Sequence, residues 1–102
     1  MDTPPAVLTS RADVEIDRPE RWAKQLVTHL SRKAPVESTA EGEELTIGAG
    51  RGVVRAEAAR LVLLAHAPDA EVLAVVKDVL GGHLERFAQR EGVVVAWEDR
   101  TA

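Results

Sequence analysis

Ile47-Gly48-Ala49-Gly50-Arg51-Gly52-Val53 is the stretch on which the choice of fold turns. A phosphate-cradling glycine loop joins a strand to a helix, because the anion is held by the free N–H groups at the helix N-terminus. Here the spacing is Gly48-x-Gly50-x-Gly52 rather than G-x-G-x-x-G, no Gly-Lys-Ser/Thr follows, and the next residues, Val53-Val54-Arg55-Ala56, are strand-like. The stretch is therefore read as a hairpin turn or bulge whose glycines take positive φ. Arg51 is expected at its tip, exposed to an anion or a partner. An antiparallel meander replaces the nucleotide-binding α/β plan.

Outward from the turn, strand signals extend over 36–39, 44–48, 52–57 and 60–67, with Glu41-Gly42 supplying a further turn. Arg60-Leu61-Val62-Leu63-Leu64-Ala65 is apolar on both faces, as a central strand is. Before Pro35 lies a helix over about 17–33. Asp17 is expected to cap it, with Glu20 reaching back in a capping box, and Trp22, Ala23, Leu26, Val27 and Leu30 share one arc at about 100° per residue. Upstream, Leu8, Ser10, Ala12, Val14 and Ile16 alternate with polar residues, the period of a half-buried strand.

Downstream of the meander, Pro68-Asp69 opens a second helix with Val72, Leu73, Val76, Leu80, His83, Leu84 and Phe87 on one arc. Gly81-Gly82 interrupts it at a cost of about 1 kcal/mol each relative to alanine, so a bend or close contact is expected there. Gly92 stops the helix, and Val93-Val94-Val95-Ala96-Trp97 reads as a closing strand. The fold class is α+β: an antiparallel sheet with two helices packed on one face, in the order strand, helix, strands of a meander, helix, strand. Its outline is ferredoxin-like. A single domain over 8–98 is expected, with tails over 1–7 and 99–102.

Composition limits what such a domain does. The 102 residues carry a formal charge of −4, which argues against nucleic-acid binding as the main activity. Between Ser10 and Lys33 the basic Arg11, Arg18, Arg21, Lys24, Arg32 and Lys33 outnumber Asp13, Glu15, Asp17 and Glu20 by two, a balance that fits a solvated helix face. The absence of cysteine removes disulfides and thiolate chemistry. With no basic leader and no long apolar run, a cytoplasmic protein that does not enter the membrane is expected. Ser10, Ser31 and Ser38 lie in no nucleophile-elbow context, so no catalytic residue is assigned.

The remaining chemistry lies in His29, His66 and His83. His29 and His83 are expected to face the sheet from the two helices; which face His66 takes is open. Each helix histidine can be a part-buried group bonded to a backbone carbonyl or carboxylate. Alternatively the two meet and hold iron, zinc or haem, a task suited to neutral imidazole.

Ser10-Arg11-Ala12-Asp13-Val14, Arg18-Pro19-Glu20-Arg21-Trp22, Lys24-Gln25-Leu26, His29-Leu30-Ser31-Arg32-Lys33, Ala67-Pro68-Asp69-Ala70, His83-Leu84-Glu85-Arg86-Phe87-Ala88 and Val95-Ala96-Trp97 together resemble the small bacterial domain-of-unknown-function 2218 family. That resemblance implies no assigned activity, and an accessory place beside siderophore-interacting, flavin-dependent proteins in iron handling. His29 and His83 match the family's pattern. The pattern's Cys near Val27 and second His at Arg32 are not found in this chain, and His66 has no counterpart. Function is accordingly read as a non-catalytic binding or accessory module with a protein partner or a homodimeric mate, engaged through a sheet edge, the glycine hairpin or the basic first helix. The alternative is a metal or haem binder using His29 and His83.

Overall fold

A computed structural model describes residues 7–101. Six strands and two helical stretches follow the expected order: β1 Leu8–Glu15, α1 Pro19–Leu30, β2 Val36–Thr39, β3 Gly42–Ile47, β4 Gly50–Ala56, β5 Arg60–Ala67, α2 Ala70–Lys77, a π-helical turn Asp78–Gly82, α3 His83–Phe87, a 3₁₀ turn Gln89–Glu91, and β6 Glu98–Thr101. The sheet runs β2-β3-β4-β5-β1-β6, antiparallel throughout. Its β4-β5-β1-β6 portion has the ferredoxin-like arrangement, and the β2–β3 hairpin is the enlargement, added beyond β4. Among the described residues no helix is long and apolar enough to cross a membrane.

The alternation along each strand sorts side chains to two faces. Ala12, Val14, Leu45, Ile47, Val54, Leu61, Leu63, Ala65 and Ala67 form one apolar surface, against which Leu26 and Leu30 of α1 and Leu73, Val76, Leu80, Leu84 and Ala88 of the second helical stretch are buried. The apolar arcs read from the sequence are thus the core-facing arcs of both helices. Among the described residues, the opposite face has no helix on it. Val53 and Val62 are nonetheless fully buried there, beside the cross-strand neighbours Asp13, Glu44 and Arg55. Of these, Arg55 has the long apolar stem that can cover such surface while its head stays in water. The sheet's outer edges, exposed β2 and the charged Glu98-Asp99-Arg100 of β6, are polar, which works against edge-to-edge pairing.

Three local expectations are corrected. Helix α1 begins at Pro19 with Arg18 as its cap, in the left-handed region at φ 55° and without a side-chain capping bond. Asp17 instead lends its backbone carbonyl to Trp22 Nε1 at 3.1 Å. Proline suits the first helical position because its missing N–H has no intrahelical partner there. Asp69 does cap α2, its Oδ1 accepting from the Val72 N–H at 2.9 Å.

The glycines differ from expectation as well. Only Gly48 of the three takes a positive φ, 59°; Gly50 and Gly52 are buried in β4, on the face against which α2 packs. A Cβ on Gly50 would stand 2.7 Å from Val76 Cγ2 and 2.8 Å from the His66 carbonyl oxygen, and one on Gly52 would stand 2.8 Å from Leu80 Cδ1. These two are glycine because the helical stretch lies directly on them.

The closing strand is displaced. Residues 93–97 make no ladder, and β6 is Glu98–Thr101, paired with β1, so that the expected tail over 99–102 supplies a strand. Of the tail expected over 1–7, only Val7 lies within the described residues. The alternation of Val93, Val95 and Trp97, all half-buried, with exposed Val94 and Ala96 arises from packing on the core side. Gly81 makes the close contact expected of the glycine pair, since a Cβ there would stand 3.1 Å from Trp97 Nε1. The Val95 N–H donates to Glu85 at 2.9 Å, which holds the segment. Buried Ser10 and Lys77 both donate to Asp99 Oδ1, at 2.6 and 2.8 Å, and so fasten β6 to β1 and α2.

Candidate functional site

His29 stands in the last turn of α1 and His83 opens α3, and the packing of those elements brings their rings to 5.2 Å between centroids, tilted by 46°. Phe87, one turn after His83, meets His29 edge-on at 5.0 Å. His83 is half-buried, as expected; His29 is exposed, so it faces the other helix rather than the sheet. His83 Nδ1 donates to the Val79 carbonyl at 2.6 Å. That bond fixes the proton on Nδ1 in the neutral ring and leaves the Nε2 lone pair outward.

Beside the pair lies a cleft of about 500 Å³, open between the end of α1 and the β3–β4 turn. Leu30, Ala34, Ile47 and Val79 form its apolar wall; His29, His83, Arg32 and Lys33 form its polar rim, with Thr46 and Gly48 across from them. A second depression, lined by Arg21, Lys24, Gln25, Thr28 and Phe87, shares His29 and Arg32 with the first. The basic first helix and the glycine hairpin, expected as separate contact surfaces, therefore border one cleft. The sequence did not reveal this junction, because it depends on how the two helices seat on the sheet.

The electrostatics of the site are one-sided. The pKa of His29 is lowered, first by loss of solvent and then by the positive charge of His83, Arg32, Lys33 and Arg86. Among the described residues, no group of three or more His, Asp or Glu is placed to hold a metal ion. Neutral, the two imidazoles offer one lone pair each among cations, and no third His, Asp or Glu among the described residues joins them, fewer than the three or four protein donors of a zinc site.

Arg51 and His66 belong to a different surface. Arg51 is in β4 rather than at the turn, and its Nη1 donates to Glu44 at 2.9 Å. It is the cross-strand partner of His66, which lies on the helix-free face of the sheet. Burial and, after it, Arg51 hold the His66 pKa down, against smaller opposing effects of Glu41 and Glu44. His66 Nε2 is buried without a hydrogen-bond partner.

Comparison with known proteins fits this geometry to a family. The profile of a family described as an uncharacterized protein conserved in bacteria (DUF2218) matches residues 11–98. The chain belongs to the DUF2218 family. The NMR structure of PA4090 from Pseudomonas aeruginosa is similar to it at 26% identity and a TM-score of 0.74, over 89% of this chain and 95% of that one. The shared α+β fold thus spans nearly the whole DUF2218 domain. A de novo designed protein, Foldit4, is similar at 14% identity and a TM-score of 0.44, over 95% of this chain and 94% of that one. No curated protein matches the chain.

Proposed function

We propose that this DUF2218 protein is a non-catalytic binding module and that its ligand enters the cleft beside His29 and His83. The observation that carries the reading is the convergence of two imidazoles, 5.2 Å apart, with Arg32 and Lys33 on the rim of a cleft of about 500 Å³. Concave sites with an apolar wall and a few convergent polar groups are where small ligands bind. The non-catalytic part rests on the bonding of the imidazoles. A general base needs a nucleophile in reach of its free nitrogen; the Val79 carbonyl orients His83 by taking its Nδ1 proton, but among the described residues no hydroxyl is hydrogen-bonded to either imidazole. Ser31, adjacent in sequence to the rim, donates to the Thr28 carbonyl at 2.8 Å.

The accessory role in iron handling belongs to the same proposal. With cations on the rim, it would run through an iron chelate or the acidic surface of a partner rather than through iron ligated by the histidines. The metal reading is favoured by one observation, the outward Nε2 of His83, and opposed by the charge around it. One experiment separates these. The purified protein is equilibrated with the fraction below about 1 kDa of a bacterial extract, then analysed by native mass spectrometry and by NMR of the imidazole Cε1–H signals. A bound organic mass that moves the His29 and His83 signals supports the proposal. A bound metal ion that moves the same signals supports the metal reading, and no adduct at this cleft overturns both.

A further inference from the structure

The chain's cations divide into two populations. Arg11, Arg18, Arg51, Arg55, Arg60, Lys77 and Arg100 each stand within 4.0 Å of a carboxylate. Arg21, Lys24, Arg32, Lys33, Arg86 and Arg90 have no such partner among the described residues; the first four border the two depressions that meet at His29, Arg86 acts on that imidazole's charge, and Arg90, in the 3₁₀ turn, does neither. In a chain of net charge −4, acids are available to pair with them. Exposed ion pairs contribute little stability each; what the partition shows is where positive potential remains. Most of it remains around the two depressions at His29, a concave surface, the arrangement that draws in anions.

We infer that the cleft takes an organic anion, with its carboxylate or phosphate head among Arg32, Lys33 and the paired imidazoles and its apolar body against Leu30, Ile47 and Val79. The inference rests on the binding-module reading above and adds the chemical class of the ligand. Head and body follow from the lining: the apolar residues form the floor and wall, with Leu30 and Ile47 buried, whereas Arg32 and Lys33 are exposed at the mouth. A bare inorganic anion would leave the apolar wall wet, and a neutral body would leave the cations uncompensated. The groups around His29 are His83, Phe87 and Arg86 from α3, Arg21 and Lys24 from its own helix, and Arg32 and Lys33 from the turn after that helix; the end of β3 and the turn into β4 contribute Thr46, Ile47 and Gly48, none of which titrates. An anion seated among these groups offsets the positive charges that, after loss of solvent, lower the His29 pKa. Binding therefore strengthens as the pH falls and the imidazole takes its proton.

The test follows the Cε1–H signals of the three histidines during titration with benzoate, phenyl phosphate, inorganic phosphate and benzyl alcohol. Benzoate and phenyl phosphate are expected to move His29 and His83 saturably, to raise the apparent pKa of His29, and to leave His66 unmoved. Arg32→Ala together with Lys33→Ala, two exposed positions, should weaken benzoate about tenfold or more, since a charged hydrogen bond contributes about the energy of a tenfold change in affinity. Benzyl alcohol binding as tightly as benzoate, or an unchanged affinity in the double variant, would overturn the anionic head. Inorganic phosphate binding as tightly as phenyl phosphate would overturn the apolar body. In each of these cases an extract-derived ligand at the cleft would leave the binding-module reading standing. If no probe moves His29 or His83 and the extract yields no ligand, both fall.

Discussion

Replacing Gly52 with alanine measures whether the glycines of the Gly48–Gly52 stretch serve a loop or a packing contact. The new Cβ would stand 2.8 Å from Leu80 Cδ1 and 3.1 Å from Leu80 Cδ2 and Cγ, against about 3.5 to 4.0 Å for an ordinary carbon contact. Leu80 is fully buried in the π-helical turn and has no solvent to move into. Overpacking of this kind costs about 1–3 kcal/mol, and alanine recovers about 0.5–1 kcal/mol of glycine's entropic disadvantage in a strand. The net loss is about 1–2 kcal/mol. At about 4–8 °C per kcal/mol for a domain near this size, the thermal midpoint falls by roughly 5–15 °C.

Because all three nearest atoms belong to one side chain, a double-mutant cycle isolates the contact. Leu80→Ala alone costs about 2–5 kcal/mol, but in that background the alanine at 52 meets empty space and recovers its 0.5–1 kcal/mol. The coupling is therefore about 1.5–3 kcal/mol and favourable. Urea unfolding followed by far-ultraviolet circular dichroism measures all four corners. An unchanged midpoint for Gly52→Ala, or a penalty that persists in full with Leu80→Ala, would refute the packing argument.

Four further outcomes are expected. Gly50→Ala should cost more than Gly52→Ala and gain only partial relief from Val76→Ala, since the His66 carbonyl oxygen at 2.8 Å is backbone and cannot withdraw; the same unfolding assay checks it. Gly48→Ala has nothing within 4 Å of its Cβ and pays only for a positive φ, about 1–2 kcal/mol, with Gly48→Asn costing less. The lowered pKa of His66 means that the unfolded chain binds a proton first, so this group's stabilisation is complete above pH 6.5 and is lost as the pH falls through its folded value. His29 adds a dependence of the same sign, so His66→Gln should reduce, without abolishing, the loss of stability between pH 7.5 and 5.5; an unchanged slope would exclude His66. Lys77→Ala removes the first cause of the lowered Asp99 pKa and should speed hydrogen exchange at the β1–β6 amides of Leu8 to Arg11 while leaving β4–β5 protected; uniform acceleration would contradict a local fastening.

The partition between what the residues announce and what only the packed molecule shows has physical causes. Helix arcs and the central strand were legible because burial imposes a period on one element at a time: Leu26, Leu30, Val76, Leu80 and Leu84 fall where a period near 3.6 puts them, and Leu61 to Ala65 is too apolar for anything but the middle of a sheet. Residues 93–97 kept a period of two without a ladder, because alternation reports which side a residue packs on and not whether its backbone is paired. The same arithmetic in the glycine stretch was open to a sharper reading. Spaced by two inside strand-like sequence, Gly50 and Gly52 leave a bare strip on one strand face while Arg51 between them points to the other, and a bare strip is what a closely seated helix requires. The candidate site is different in kind. His29 and His83 each lie on a legible arc, but their meeting depends on the angle at which two helices cross the sheet. That angle is set in turn by how near α2 and its π-helical turn can come to β4, and so by Gly50 and Gly52. The stretch that excludes a phosphate loop thus helps to build the cationic cleft, by letting the helix that leads into His83 settle against the sheet.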